Sequence, residues 1–294
     1  MSESENVINS NTDAVLLTPP TNNDNKCNIS VYYQNVRGLR SKTNDLYNAV
    51  CSVDFDILAL TETWLSSGAL NTELFDARYN IFRCDRKYQQ LNCNRRGGVI
   101  LAVKNTFLVS EVKISGHPIK IDMLCLKISV GHVVLFVLVV YIPPDTSNDE
   151  YMEFFEVISG VECFYDSKIL IIGDFNVSDY SDVTINRNMP LSEKFLCLTN
   201  FINFLNLNQS NSVPNVNNRY LDLVLHSNFL DCSVNKAEEV MLPEDVHHPA
   251  LVVSFLVKQE KKFNNQRIDN VFYNFRRADF QGLYSHFLNG NWDI

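Results

Sequence analysis

This chain has no Cys-x-x-Cys pair, although it has eight cysteines: Cys27, Cys51, Cys84, Cys93, Cys125, Cys163, Cys197 and Cys232. None has a spaced histidine pair nearby, which excludes the usual zinc-finger ligand sets. The scatter fits a reduced, intracellular chain in which Cys51, Cys125 and Cys197, set in apolar runs, serve as small core residues. Glycine and proline are scarce, 10 and 9 of 294 residues, so collagen-like and low-complexity architectures are excluded. Basic residues are in deficit, 25 against 34 acidic, for a net charge of −9. That excludes a generic basic nucleic-acid binder, but not an enzyme that meets nucleic acid through a local basic rim. Long apolar runs are also missing. The most apolar stretch, Val133 to Ile142, is ten residues, half of the roughly 20 that a membrane-spanning helix needs. The Met-Ser-Glu-Ser-Glu-Asn start has neither the basic nor the apolar segment of a secretory signal. No membrane partner is expected.

The chain is 46% hydrophobic and 20% charged, ordinary values for a globular protein with a sizeable core. Residues 1–26 are rich in Asn, Ser, Thr and acids and read as a disordered tail. Residues 27–257 read as one domain and 258–294 as a C-terminal connector. Within the domain, Ile, Val and Tyr mark a strand over 28–35, and Thr43 is placed to cap a helix through Val50. Buried strands are expected at 56–61, 99–103 and 168–174, with a hairpin at 123–130 and 133–141 turning through Gly131-His132. Helices are expected over 151–161 and over 192–207 behind a Ser192 cap. Strands at 220–225 and 250–257 complete a count of at least seven strands and three or four helices, in mixed order. The sheets should therefore be mixed rather than all parallel.

The chemistry is concentrated where very apolar strands end in polar groups. Leu60-Thr-Glu62, Gly173-Asp-Phe-Asn176 and Leu221-Asp-Leu223 share this design, and Asn35 closes the first strand in the same way. An unpaired ionised carboxylate is too costly to bury. Each of these acids must sit at a rim, pair with a cation or bind metal. In Gly-Asp-Phe-Asn the acid and the carboxamide, two residues apart, face the same side of an extended chain. Asp222, inside an apolar strand, needs a partner, and a histidine from Asp245-Val-His247-His248-Pro249 is the obvious one.

Taken in order, Asn35, Glu62, Tyr141, Asp174, Asn176, Asp222 and the closing histidine resemble the exonuclease–endonuclease–phosphatase superfamily. The strings Gln34-Asn-Val-Arg-Gly-Leu-Arg-Ser-Lys42, Leu60-Thr-Glu-Thr-Trp-Leu65, Tyr141-Ile-Pro-Pro144 and His247-His-Pro-Ala-Leu251 narrow this further. They look like the endonuclease domain of jockey-like non-LTR retrotransposon polyproteins. The resemblance implies an α/β fold: a four-layered sandwich of two mixed β-sheets flanked by helices. It also implies divalent-metal-dependent hydrolysis of phosphodiesters, with Mg²⁺ or Mn²⁺ held by hard oxygen ligands.

On that resemblance Glu62 is the first metal ligand, assisted by Asn35. Asp174 activates the attacking water and Asn176 donates to a phosphate oxygen. Tyr141 donates to the phosphate or steadies the leaving group. Asp222 orients the closing histidine, which acts either as an imidazolium or as a base. The family's usual Ser-Asp-His-x-Pro order is altered here. Either His247 or His248 can be the catalytic one, and the resemblance to jockey-like sequences, which commonly keep His directly before Pro, favours His248, with Asp245 as the second metal acid. Arg95, Arg96 and His247 are candidate substrate contacts. The expected substrate is double-stranded DNA, nicked in the nucleus to leave a 3′ hydroxyl for a reverse transcriptase domain that such elements carry downstream, so the chain reads as a fragment, a truncated copy or a mispredicted reading frame. Competing readings are an apurinic-site nuclease or other phosphoesterase on the same scaffold, and a catalytically silent binding module.

Overall fold

The computed structural model describes residues 26–87, 96–180, 191–258 and 279–289. The chain divides into two compact units, Met1–Gln259 and Glu260–Ile294. In the first, the elements run β1 (Lys26–Asn35), α1 (Thr43–Ser52), β2 (Ile57–Thr61), β3 (Tyr79–Cys84), β4 (Val99–Lys104), β5 (Leu108–Val112), β6 (Asp122–Val130), β7 (Val133–Tyr141), α2 (Asn148–Ser159), β8 (Lys168–Asp174), α3 (Glu193–Phe204), β9 (Leu207–Gln209), β10 (Asp222–Ser227), β11 (Asp231–Lys236) and β12 (Leu251–Lys258). Within the second unit the described element is α4 (Phe280–Asn289), whose Phe280, Tyr284, Phe287 and Leu288 are exposed. No helix among the described residues is long and apolar enough to cross a membrane.

The twelve strands form two six-stranded sheets, ordered β11-β12-β1-β2-β4-β3 and β5-β6-β7-β8-β10-β9. Both are mixed: β1–β2 and β7–β8 pair in parallel, and their other pairings are antiparallel. The period of two along each strand sorts side chains into layers. Ile29, Val31 and Tyr33 of β1 meet Leu135, Val137 and Val139 of β7 in the core between the sheets. Tyr32, Leu58 and Leu60 point the other way, onto Leu46 and Val50 of α1. Phe136, Leu138 and Val140 pack outward against Tyr151, Phe154 and Phe155 of α2 and Leu198 and Phe201 of α3. Strands covered on both faces must be apolar at nearly every position, which is why β7 and β8 read as continuous runs. Each fully buried Val, Leu or Ile contributes about 1.5–3 kcal/mol.

The chain departs from its sequence-based expectations at several ends. Thr43 is the first helical residue rather than the cap. The cap position falls on Lys42, which has no capping oxygen and donates through Nζ to Val36 O instead. Helix α2 begins three residues earlier than the apolar spacing suggests, because Ser147 and Glu150 form a reciprocal capping box. Ser192 does cap α3, accepting from Phe195 N at 3.1 Å, but the helix stops at Phe204 and Leu207 opens β9. Strand β10 starts at Asp222, where pairing with Asp174 begins, rather than at Tyr220. The four strands that match none of the eight spans named from sequence are β3, β5, β9 and β11, which are short or half-exposed. Cys51 is exposed on the last turn of α1 rather than in the core, Cys197 is half-buried, and Cys125 is buried. The seven described cysteines are free, and Cys93 lies outside the described residues.

Candidate active site

The inner-face parity that builds the inter-sheet core continues to the strand ends, and there it switches from apolar to polar. On β7 the sequence Leu135, Val137, Val139 is followed on the same face by Tyr141. On β8, Leu170 and Ile172 lead to Asp174, and on β1, Val31 and Tyr33 lead to Asn35. On β10 the inner position before Val224 is Asp222. Register aligns these groups. Asp122 pairs with Tyr141, Tyr141 with Asp174, and Asp174 with Asp222, a row across four strands of one sheet. Gly173 makes the close passage of β8 along β7 possible, since a Cβ there would lie 1.9 Å from Val140 O.

Side chains from the other sheet complete the cluster. Asn35 Nδ2 donates to Asp174 Oδ2 at 3.1 Å, and the Tyr33 hydroxyl donates to Asp222 Oδ1 at 2.5 Å. His248 Nδ1 donates to Asp222 Oδ2 at 2.9 Å and lies 3.7 Å from Asp174 Oδ2. Asp174, Asp222 and His248 are all buried. Burial would lower the imidazole's pKa, but Asp222, then Asp174 and Asp245, outweigh it and push His248 up to about 10. It is therefore an imidazolium at neutral pH. Burial holds the Asp174 carboxyl well above the carboxylate range; His248 opposes that, and Asp222 and Glu62 reinforce it. The Tyr141 phenol is raised as well, by burial, by the charges of Glu62 and Asp174, and by its hydrogen bond to Glu62.

Glu62 stands one residue past β2 with φ 54°, between Arg37 at φ 43° and Trp64 at φ 55°, all left-handed backbone that side chains with a Cβ seldom adopt. Trp64 Nε1 donates to Glu62 Oε2 at 2.9 Å. Asn176, also left-handed, donates through Nδ2 to Ile142 O at 2.8 Å, and its own N–H donates to Asp174 Oδ1 at 3.2 Å. Glu62, Tyr141, Asp174, Asn176 and His248 open on one cavity of about 720 Å³. Arg37, Arg86, Arg96, Lys120 and His247 line it too, a local basic rim on an acidic protein.

Of the groups singled out from sequence, Asn35, Glu62, Tyr141, Asp174, Asn176, Asp222 and His248 thus converge at one end of the sandwich. His247 and Arg96 stand at the cavity wall, and Arg95 lies outside the described residues. Asp245 is engaged elsewhere. Its carboxylate pairs with Arg37 and accepts from His247 N at 2.8 Å, and these contacts, set against burial, hold it below the ordinary carboxylate range. Sequence reasoning passed over Tyr33, Arg37, Arg86 and Asp122. Inner-face parity would have found Tyr33 and Asp122, since each lies two residues from a residue of the inter-sheet core (Val31 and Leu124).

A divalent cation fits this donor set. Glu62 presents hard oxygen atoms near Asp174, whose ionisation is disfavoured by burial and by neighbouring carboxylates, so added positive charge there is favourable; Asn35 meets Asp174 through Nδ2 and keeps Oδ1, which also accepts from Arg37 N at 3.3 Å, as a further hard donor. The trio Asp174, Asp222 and His248 also lies close enough to hold an ion. However, an imidazolium is not a ligand, and both Asp222 oxygens already accept hydrogen bonds.

The profile of the endonuclease/exonuclease/phosphatase family matches residues 33–237. Among solved structures, the chain is similar to the endonuclease domain of TRAS1, a telomere-specific non-LTR retrotransposon (14% identity, TM-score 0.57, 79% of this chain and 100% of that one). It is also similar to the 3′ phosphatase NExo from Neisseria bound to product DNA hairpin (15%, 0.51, 77% and 99%). A third likeness is the human Nocturnin catalytic domain (13%, 0.52, 78% and 94%). At such identities the likeness speaks to the fold. No curated protein matches the sequence.

Proposed function

The chain belongs to the endonuclease/exonuclease/phosphatase family, and from that premise we propose that it is a divalent-metal-dependent endonuclease that nicks double-stranded DNA. The observation that carries this reading is the convergence of Asn35, Glu62, Tyr141, Asp174, Asn176, Asp222 and His248, drawn from both sheets, on one basic-rimmed cavity. Glu62 and Asn35 would hold Mg²⁺ or Mn²⁺, and Asp245, engaged by Arg37, is left out of that set. A bound cation would offset the charge that builds on the phosphate oxygens.

Asp174 accepts the proton of the attacking water, a task suited to a carboxyl whose pKa is raised. Asn176 uses one amide hydrogen on Ile142 O and has a second for a phosphate oxygen. Tyr141, whose one phenolic hydrogen lies on Glu62 in the free protein, would turn it to the phosphate once Glu62 holds a cation. His248 is anchored at Nδ1 by Asp222 and presents Nε2–H. An imidazole raised to about 10 favours its role as a cationic donor to the phosphorane over that of a base. Tyr33 supports Asp222 from the opposite sheet. As the water oxygen bonds to phosphorus and the P–O3′ bond breaks, a 5′-phosphate is left and the departing O3′ takes a proton from solvent; the resulting 3′ hydroxyl would prime a reverse transcriptase domain, the retrotransposon use of such a nick. The cellular site of action would be the nucleus. The TRAS1 likeness and the motif strings support this finer reading.

The test is nicking of supercoiled plasmid in Mg²⁺, in Mn²⁺ and in chelator, with an abasic duplex and a 3′-phosphorylated hairpin as alternative substrates. Expected is metal-dependent conversion to open circle that falls by about 10³-fold in Asp174→Ala. Equal nicking by the two proteins would end the claim. Exclusive cleavage of the abasic or 3′-phosphate substrate would move the assignment to repair chemistry.

A further inference from the structure

Arg86 and Asp122 form a buried ion pair, 7% and 3% exposed, and none of the roles above uses it. Burying two charges is costly and needs a reason. The pair is closely built. Arg86 Nε and Nη2 reach Asp122 Oδ2 at 2.9 and 2.6 Å, and Nη2 also donates to Lys120 O at 2.8 Å. Gly98 N–H donates to the same Oδ2 at 2.8 Å. The backbone makes room for it: Gly97, at φ +87°, could carry no side chain, since a Cβ there would lie 2.4 Å from Arg86 Cζ and from Asp122 Oδ2. The guanidinium carbon stands 5.2 Å from the centroid of the Tyr141 ring, and Tyr141 is the register partner of Asp122 on the next strand. Arg86 also lines the cavity into which Tyr141 opens.

We infer that Arg86, locked by Asp122, is a positioning residue for Tyr141. Its planar guanidinium is clamped edge-on by one carboxylate and laid over the aromatic ring, so that it fixes the ring plane and holds the phenol on Glu62 and toward the substrate. A lysine would keep the charge but lose the plate and the double donation to Oδ2. The inference rests on the reading of Tyr141 as a phosphate-contacting group, and its test separates the two.

Arg86→Lys is compared with wild type in the Tyr141 background and in a Tyr141→Phe background. Expected is a fall in kcat for plasmid nicking of roughly ten- to a hundredfold with Tyr141 present, with KM within about twofold. With Phe at 141 there is no phenol to place, so the same change costs no more than about twofold. Equal losses in both backgrounds would mean general structural damage and overturn the proposal. The second readout needs no substrate. In protein labelled at the tyrosine ε carbons, the Tyr141 signal is assigned by its loss in Tyr141→Phe, and it moves in Arg86→Lys. An unmoved Tyr141 signal in folded Arg86→Lys overturns the inference whether or not the wild type cuts DNA. A wild type that cuts no phosphodiester removes the functional reading but leaves this arm decisive. Should Arg86→Lys lose its melting transition, Asp122→Asn releases the same guanidinium and is read in the same way.

Discussion

The two sheets furnish the cavity by different means. The sheet containing β6, β7, β8 and β10 presents Asp122, Tyr141, Asp174 and Asp222 as consecutive register partners, each on a backbone fixed by ladder pairing. The sheet containing β1 and β2 presents Asn35 at the last rung, and then Glu62 from beyond the strand end. There Arg37, Glu62 and Trp64 all take left-handed backbone at about 1–2 kcal/mol each. That turn is stitched by Gly38 N to Glu62 O at 2.7 Å and Trp64 N to Gly97 O at 2.8 Å. Apart from Asn176, itself left-handed just past β8, one half of the site is thus continuous with the core and the other is a strained edge added to it. Folding stability should follow the first half, and the second should be separable from it.

The largest effect on stability is expected at Asp222. Asp222→Ala removes a buried hydrogen bond from the Tyr33 hydroxyl, which is left with Thr61 Oγ1 at 3.1 Å, and from the His248 imidazole, which is left with Asp174 at 3.7 Å. Breaking such a charged network costs about 3–5 kcal/mol, or roughly 6–20 °C in Tm at about 2–4 °C per kcal/mol. Urea and thermal melts measure it. A loss under about 1 kcal/mol would show that the row is not part of what holds the sandwich together.

A smaller effect, graded by pH, comes from His248. Its imidazole rises from the ordinary 6.5 to about 10 in the fold. A basic group raised on folding contributes stability that is complete below the unfolded value and disappears as pH climbs through the folded one. Between pH 7 and pH 10, with chelator present, the wild type should therefore lose Tm more steeply than His248→Gln. Parallel pH profiles would count against a charged imidazole at this position.

What the sequence makes legible follows the same division. Strands β7 and β8 are readable residue for residue because burial on both faces leaves an uninterrupted apolar run that ends in the functional group. The order of those runs makes the sheets mixed, and the two-sheet sandwich is what the family resemblance implies. Edge strands such as β5 and β11 leave no such mark, since one face meets water. Tyr33 and Arg86 escape notice because their partners, Asp222 and Asp122, are 189 and 36 residues away. The choice between His247 and His248 depends on the reversal at 245–248, where His248 N bonds Asp245 O and turns His248 inward. The expectation of Asp245 as a metal acid could not anticipate its pairing with Arg37, 208 residues away in sequence and on left-handed backbone.

Glu62→Gly sharpens the contrast, and its expected effect on folding is the smallest. Glycine adopts φ 54° freely, so the substitution recovers about 1 kcal/mol of backbone strain. Against that stand the hydrogen bonds from Trp64 Nε1 and the Tyr141 phenol, each worth about 0.5–1.5 kcal/mol net. Glycine also adds unfolded-state entropy, about 0.5–1 kcal/mol. Together these leave a net loss of about 0.5–3 kcal/mol, short of that expected for Asp222→Ala. The same variant has no carboxylate for a cation, so nicking should fall by at least about 10²-fold. Its fold intact and its activity gone, the variant would show that the edge of the first sheet is built for chemistry while the ladder of the second serves chemistry and fold together. A loss comparable to that of Asp222→Ala would instead make Glu62 a structural member of the sandwich, and the left-handed turn would then be a consequence of packing rather than a concession to the site.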